Sequence, residues 1–139
     1  MSVRLRLICI NPPPMIYKGE AAVLGLQDKK GGLLRGTARP DGALVFDCAL
    51  EVNRTAAADA PNFLGDYAHG TPKERFLYLS YGYRDAGKRQ WIKRLKIPLA
   101  DITWVQIETA ARPGMLEATV DGSSGEATVP LIGGEWVVR

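Results

Sequence analysis

Apolar and polar residues alternate along most of this chain with the two-residue period of a strand. Val3, Leu5, Leu7 and Cys9 share one face while Arg4 and Arg6 occupy the other, the pattern of a strand laid half against a core. The alternation is clearest from Leu44 to Val52, where Leu44, Phe46, Cys48, Leu50 and Val52 turn inward and Asp47 and Glu51 outward. Ala21 to Gln27 predicts another strand, and Leu33 to Ala38 a weaker one. Turn chemistry separates them. Asn11-Pro12-Pro13-Pro14 stops the first strand, because proline cannot donate to a ladder. Asp28 to Gly32 makes a turn, and Arg39-Pro40-Asp41-Gly42 makes another, with proline presetting one dihedral and glycine supplying positive φ.

Arg75 to Tyr83 and Arg89 to Ile97 read as a hairpin about Asp85-Ala86-Gly87. A three-residue loop with its glycine left-handed sets Leu77 opposite Leu95, Tyr81 opposite Trp91, Tyr78 opposite Arg94 and Phe76 opposite Lys96. One face is then mostly core and the other aromatic and basic. A single short helix is predicted near 103–111, where Thr103 and Gln106 have capping-box spacing. Trp104, Ile107 and Ala111 fall on one side of it, and Arg112-Pro113-Gly114 ends it. Met115 to Val120, Glu126 to Leu131 and Trp136 to Val138 complete the strands, and Thr55 to Ala60 predicts one helical turn. About eight short strands with turns between them give an all-β fold. The expectation is an antiparallel β-sandwich, or flattened barrel, in a single domain spanning residues 1–139.

Composition narrows the class. A chain of 139 residues with 46% hydrophobic and 24% charged residues reads as an ordinary globular domain. It needs no metal or disulfide to hold its core together. The charge of +3 is too mild to point to nucleic acid. Cys9 and Cys48 lie in alternating apolar runs and read as buried thiols rather than a disulfide. The N-terminal apolar run is short and broken by arginines, so it is read as a strand and not a signal peptide. No apolar run is long enough for a membrane span, and the expected compartment is the cytoplasm. Asn53-Arg54-Thr55 matches a glycosylation sequon that has no meaning without secretion.

Candidate chemistry concentrates in two places. Ala60 to Pro72 is bracketed by prolines, holds the chain's one histidine, His69, and looks too broken for helix or strand. Such connections are binding loops or loops packed by their own side chains. In the packed form Phe63 enters the core and the Asn62 side chain satisfies loop backbone. In the other, these residues and Tyr67 line a pocket against Phe76 and Tyr78. His69 has Asp59, Asp66 and Glu74 near it in sequence, yet a lone histidine is a poor metal set and most often bonds backbone. The second place is the hairpin, where Arg84, Lys88, Arg89, Lys93, Arg94 and Lys96 interleave with Tyr81, Tyr83 and Trp91. Arginine over an aromatic ring engages stacked bases or anionic ligands, although lysines on a strand edge also serve simply to prevent pairing. Gly122-Ser123-Ser124-Gly125 is too short for a nucleophile elbow, and Gly31 to Gly36 lacks the lysine of a phosphate-binding loop.

The segments Asn11-Pro12-Pro13-Pro14, Gly25-Leu26-Gln27-Asp28, Pro61-Asn62-Phe63-Leu64-Gly65, Arg75-Phe76-Leu77-Tyr78, Lys96-Ile97-Pro98-Leu99 and Ile102-Thr103-Trp104 extend over most of the chain. Through them it resembles a family of small bacterial proteins classed as a domain of unknown function (DUF 5990). The chain departs from that pattern in a longer insertion from Tyr17 to Val23. The resemblance carries no activity, substrate or catalytic residue. The functional expectation is therefore built on the residues themselves. It is a non-catalytic binding or interaction module with Asn62, Phe63, Tyr67, His69, Arg75, Tyr78 and Arg94 at its ligand site. No cofactor, metal or catalytic residue is expected. The partner is a small molecule or a protein, nucleic acid is disfavoured, and a homo-oligomer is left open. The alternatives are a small hydrolase or isomerase using His69 with Asp66 or Glu74, and a structural domain that self-associates through an exposed edge.

Overall fold

A computed structural model describes residues 1–54, 60–111 and 113–139. The helical turn expected at Thr55 to Ala60 falls, but for Ala60, outside the described residues, as do Asp59 and Arg112. Two curled sheets face each other. Sheet one runs β11 (Val137–Val138), β10 (Leu116–Asp121), β1 (Ser2–Ile10), β6 (Leu44–Arg54). The far edge of β6 is shared by β5 (Thr37–Ala38) at its start and β7 (Pro61–Leu64) at its end. Sheet two runs β2 (Ile16–Tyr17), β3 (Glu20–Gln27), β8 (Phe76–Asp85), β9 (Lys88–Pro98), with β4 (Leu33–Arg35) beside the end of β3. The short helix α1 (Trp104–Ala110) packs against β1, β10 and β11. Among the described residues no helix is long and apolar enough to cross a membrane.

The core lies between the sheets and follows the alternation. Val3, Leu5, Leu7 and Cys9 of β1 and Phe46, Leu50 and Val52 of β6 are buried against Ala22, Leu24 and Leu26 of β3, Leu77, Leu79 and Tyr81 of β8, and Leu95 and Ile97 of β9. Each large apolar side chain so buried contributes roughly 1.5–3 kcal/mol. Outward residues of adjacent strands meet as charge pairs, such as Arg6 and Asp47, whose register aligns them and whose Nε and Oδ1 are 3.0 Å apart. The strand expected from Leu33 to Ala38 is split at Gly36, where the chain leaves sheet two as β4 and enters sheet one as β5. On the opposite side, Lys96 bonds Ala127 and Val129 through its backbone, and Ile132 N–H donates to Thr119. The segment from 127 to 132 thus ties β9 to β10 and closes the sandwich toward a flattened barrel.

Several local expectations are corrected. Strands β1 and β10 are parallel, with Leu5 beside Leu116; only strands joined by a tight turn must run antiparallel, and these two are far apart in the chain. Glu126 to Leu131 is not a regular strand, its ladder reduced to the bridge between Lys96 and Thr128. In α1 the capping box forms as read, with Thr103 Oγ1 accepting from Gln106 N and Gln106 reaching back to Thr103 N. The buried residue of the last turn is Ala110, however, and Ala111 is the exposed cap. The insertion at Tyr17 to Val23 is the β2–β3 hairpin itself.

Candidate functional site

Outward positions on β8 are Phe76, Tyr78, Ser80 and Gly82, and the residues facing the last three across the ladder are Lys96, Arg94 and Trp91 of β9. This register is not the expected one. The turn has two residues, Ala86 and Gly87, both at positive φ (52° and 80°), which matches the strand twist better than a three-residue loop. A bulge then interrupts the ladder at Tyr81/Gly82 and leaves Ile92 without a facing partner. Leu77 therefore lies opposite Ile97, Tyr81 opposite Lys93, Tyr78 opposite Lys96 and Phe76 opposite Pro98. In the half away from the turn the displacement is two residues, so every side chain keeps its face. In the half near the turn the bulge brings Trp91 out of the core and over Gly82.

That glycine matters because of close approach. A Cβ at Gly82 would stand 2.6 Å from Gln90 O and 2.9 Å from Trp91 Cε3. The indole lies across the space, and two guanidinium groups lie over the indole: Arg94 Cζ at 4.7 Å and Arg89 Cζ at 5.7 Å from the ring centre. Beneath this layer Ser80 is fully buried, its hydroxyl donating to Gln27 Oε1 at 2.9 Å.

At the other end of the face a second aromatic group forms. His69 and Phe76 exchange backbone hydrogen bonds of 2.9 and 3.1 Å, which brings their rings to 5.9 Å and Tyr78 to 4.9 Å from the imidazole. The imidazole Nε2 is 2.7 Å from the carbonyl oxygen of Gln27, so Nε2 carries the hydrogen and donates it. Among the described residues no carboxylate hydrogen-bonds His69. Lys96 Nζ lies 4.8 Å from the Phe76 ring centre. Gly70, next to His69, has φ of 87° and no space for a Cβ, which would meet Glu74 O at 2.7 Å. Its carbonyl accepts from Arg75 Nη1, while Arg75 Nε is buried without a partner among the described residues.

The electrostatics of the face are one-sided. Ion pairs join Met1 to Glu51, Arg6 to Asp47, Lys30 to Asp66, Arg39 to Asp41, Arg54 to Glu108 and Arg139 to Glu117. Among the described residues, Arg35, Arg75, Arg84, Arg89, Arg94 and Lys96 pair with no carboxylate. Partial burial, then the neighbouring charges of Arg84 and Arg35, hold Arg89 below the usual arginine value. Like charges have been gathered here without a paired carboxylate among the described residues.

The seven expected ligand residues do not come together as a set. His69, Arg75 and Tyr78 form one group, and Arg94 lies on the same face next to Trp91. Phe63 is 1% exposed, in the core from β7, and is thus withdrawn from any ligand. Asn62 is also on β7, because Pro61–Leu64 is a strand on the edge of β6 and not loop. The ladder satisfies its backbone, and the Asn62 side chain, expected to do so, leaves Oδ1 buried and unpartnered among the described residues. Tyr67 is half-buried near Asp28, Cys48 and Asp66, with burial first and those groups after it raising its hydroxyl pKa. It stacks with no ring among the described residues. Phe76, Lys96 and Trp91 belong to the site and were absent from the expected set. The signal for the first two was their two-residue spacing from Tyr78 and Arg94.

Among the described residues no three His, Cys, Asp or Glu side chains gather where they could hold a metal ion. Both cysteines are free. Burial, with Asp121 adding to it, pushes the Cys9 thiol up to about 11, and burial with Asp47 pushes Cys48 up to about 12. Thiols of such pKa are poor nucleophiles at neutral pH. An unfolded chain, whose thiols ionise near 9.0, gains from high pH before the native one does. The thiol contribution to stability is thus whole below that value and is lost as pH rises through about 11. The urea midpoint should fall on this alkaline limb, and Cys48→Ala should make the fall shallower. Equal slopes for the two proteins would show that the thiol does not sense burial.

Residues 3–139 match the family described as a family of unknown function, DUF5990. No curated protein and no solved structure matches the chain.

Proposed function

The chain belongs to the family of unknown function DUF5990, and as that membership brings no activity with it, we propose from the geometry that it is a non-catalytic binding module. Its ligand surface is the outer side of sheet two, and the partner is anionic: a small acidic molecule or an acidic stretch of protein. One observation carries the reading. The cations of this face, Arg35, Arg75, Arg84, Arg89, Arg94 and Lys96, lack carboxylate partners among the described residues, whereas Arg6, Arg39 and Arg139 elsewhere on the molecule have them. Cations gathered without counterions raise the local concentration of anions and steer them inward. Trp91, Phe76 and Tyr78 add flat apolar surface beside the charges, the combination that a planar acid uses.

The hydrolase or isomerase reading has less support. His69 gives its ring hydrogen to Gln27, Asp66 is engaged by Lys30 at 3.7 Å, and Glu74 is exposed. Self-association would use the edge strand β11, where Val137 is exposed. A single domain in the reducing cytoplasm belongs to the same proposal and is supported by two thiols that remain free.

A thermal-shift screen against metabolites and metals, sorted by charge, tests the reading. Anionic compounds at a hundredfold excess over their dissociation constant should add about 2.7 kcal/mol, and the gain should shrink with added salt and in Arg94→Glu. Stabilisation by neutral or cationic compounds alone, or flat curves throughout, would count against it.

A further inference from the structure

Where β8 begins and β9 ends, the chain leaves a hollow of about 280 Å³. It sits beyond the aromatic group just described and is walled by the 3-10 turn Pro72–Glu74, by Phe76 and by Pro98. Three cations border it, Lys73, Arg75 and Lys96, against one carboxylate, that of Glu74. Thr128 brings a hydroxyl from the closing segment. Its position is fixed, because the backbone of Lys96 bonds Ala127 and Val129 on either side of it, at 2.8 and 3.0 Å. We propose that this hollow binds the phosphoryl group of a small phosphate monoester, an inference that rests on the anionic-partner reading above and gives it a ligand class.

Charge selects the class. Three cations against one anion leave a formal excess near that of a phosphomonoester, which carries about −1.5 to −2 at neutral pH; a single carboxylate would satisfy half of it. Arg75 has one nitrogen committed, Nη1 to Gly70 O. The opposite edge of the guanidinium, Nε with Nη2, is the edge that forms two parallel bonds to a phosphate. Its Nε is now buried without a partner among the described residues, so a small rotation of the side chain toward an anion gains a bond without breaking a protein one at that atom. Among the described residues the Lys96 ammonium is held only by the face of Phe76, a contact weaker than a charge-assisted hydrogen bond. Size selects the rest. The hollow is at the lower limit of ligand sites, so the organic part is small and lies against Phe76, Pro98 and Ala100.

Phenyl phosphate, inorganic phosphate and benzoate titrated separately into the isotope-labelled chain test this by amide chemical shifts. Phenyl phosphate should move Lys73, Arg75, Phe76, Lys96 and Thr128, with inorganic phosphate moving the same polar positions more weakly. Benzoate should bind about tenfold or more weaker than phenyl phosphate, the difference of one charge-assisted bond. Lys96→Gln should weaken phenyl phosphate by a similar factor. Arg4→Gln, on the exposed side of β1 in sheet one, should change it by less than about twofold. Benzoate binding as tightly, or an unchanged affinity in Lys96→Gln, would overturn the proposal. If acidic compounds bind through Arg94 and Trp91 while phenyl phosphate leaves the hollow untouched, the inference fails and the wider reading survives. If no anion binds anywhere on sheet two, both fail.

Discussion

Truncating Phe46 to alanine should lower the unfolding free energy by about 3–5 kcal/mol. The ring is fully buried on β6, with Leu7 of β1 beside it in register. It also seals the corner where the chain changes sheets, since a Cβ at Gly36 would stand 2.9 Å from its edge. The side chain therefore holds both the inner face of sheet one and the β4–β5 crossing. Neighbours anchored in two hydrogen-bonded ladders cannot collapse into the space, which puts the cost toward the upper end of the usual range. A domain of this size holds only about 5–15 kcal/mol in total, so the variant loses a large share of it. Urea denaturation should show a lower midpoint with unchanged slope. A loss below about 1 kcal/mol would mean that the two sheets do not meet at this residue.

Gly82→Ala should cost about 1–3 kcal/mol and disturb the proposed binding surface together with the fold. The added methyl would lie 2.6 Å from Gln90 O, a backbone atom that no rotamer change can move, and 2.9 Å from the Trp91 ring. Relief requires the bulge to open and the indole to leave the sheet. Arg94 and Arg89 rest on that indole, so their charges lose their platform as well. Denaturation gives the stability change, and tryptophan emission, compared in a Trp91→Phe background, gives the displacement of the ring. Wild-type stability with unchanged emission would show that Trp91 does not lie over Gly82.

Much of this was legible in residues and much was not, for separable reasons. Strands β1 and β6 were readable because one face is core and the other mostly exposed, which leaves an alternation that β1 keeps until buried Ile8. The turn after β3 was readable because Asp28 caps it, its Oδ1 accepting from Lys30 N and Gly32 N. The capping box of α1 is equally local. The hairpin register was not readable, since turn length and bulge placement depend on twist; yet the aromatic–basic face survived, because the slip away from the turn equals one strand period. Trp91 lies where the bulge breaks that parity, and it changed sides. Pro61–Leu64 hid its pairing behind an initial proline that an edge strand tolerates. Phe63, read both as a core residue and as part of a ligand site, is found in the core. Thr128 reaches the hollow through chain closure, which leaves no local pattern.

The claim that the outer side of sheet two attracts anions is tested most directly by retention on an anionic column of two charge reversals that alter net charge equally. Arg94→Glu lies on that face, and Arg4→Glu lies on the exposed side of β1 in sheet one. Arg94→Glu is expected to elute at clearly lower salt than the parent, with Arg4→Glu close to it. Equal shifts for the two would show that net charge alone governs the binding and that the face has no special role.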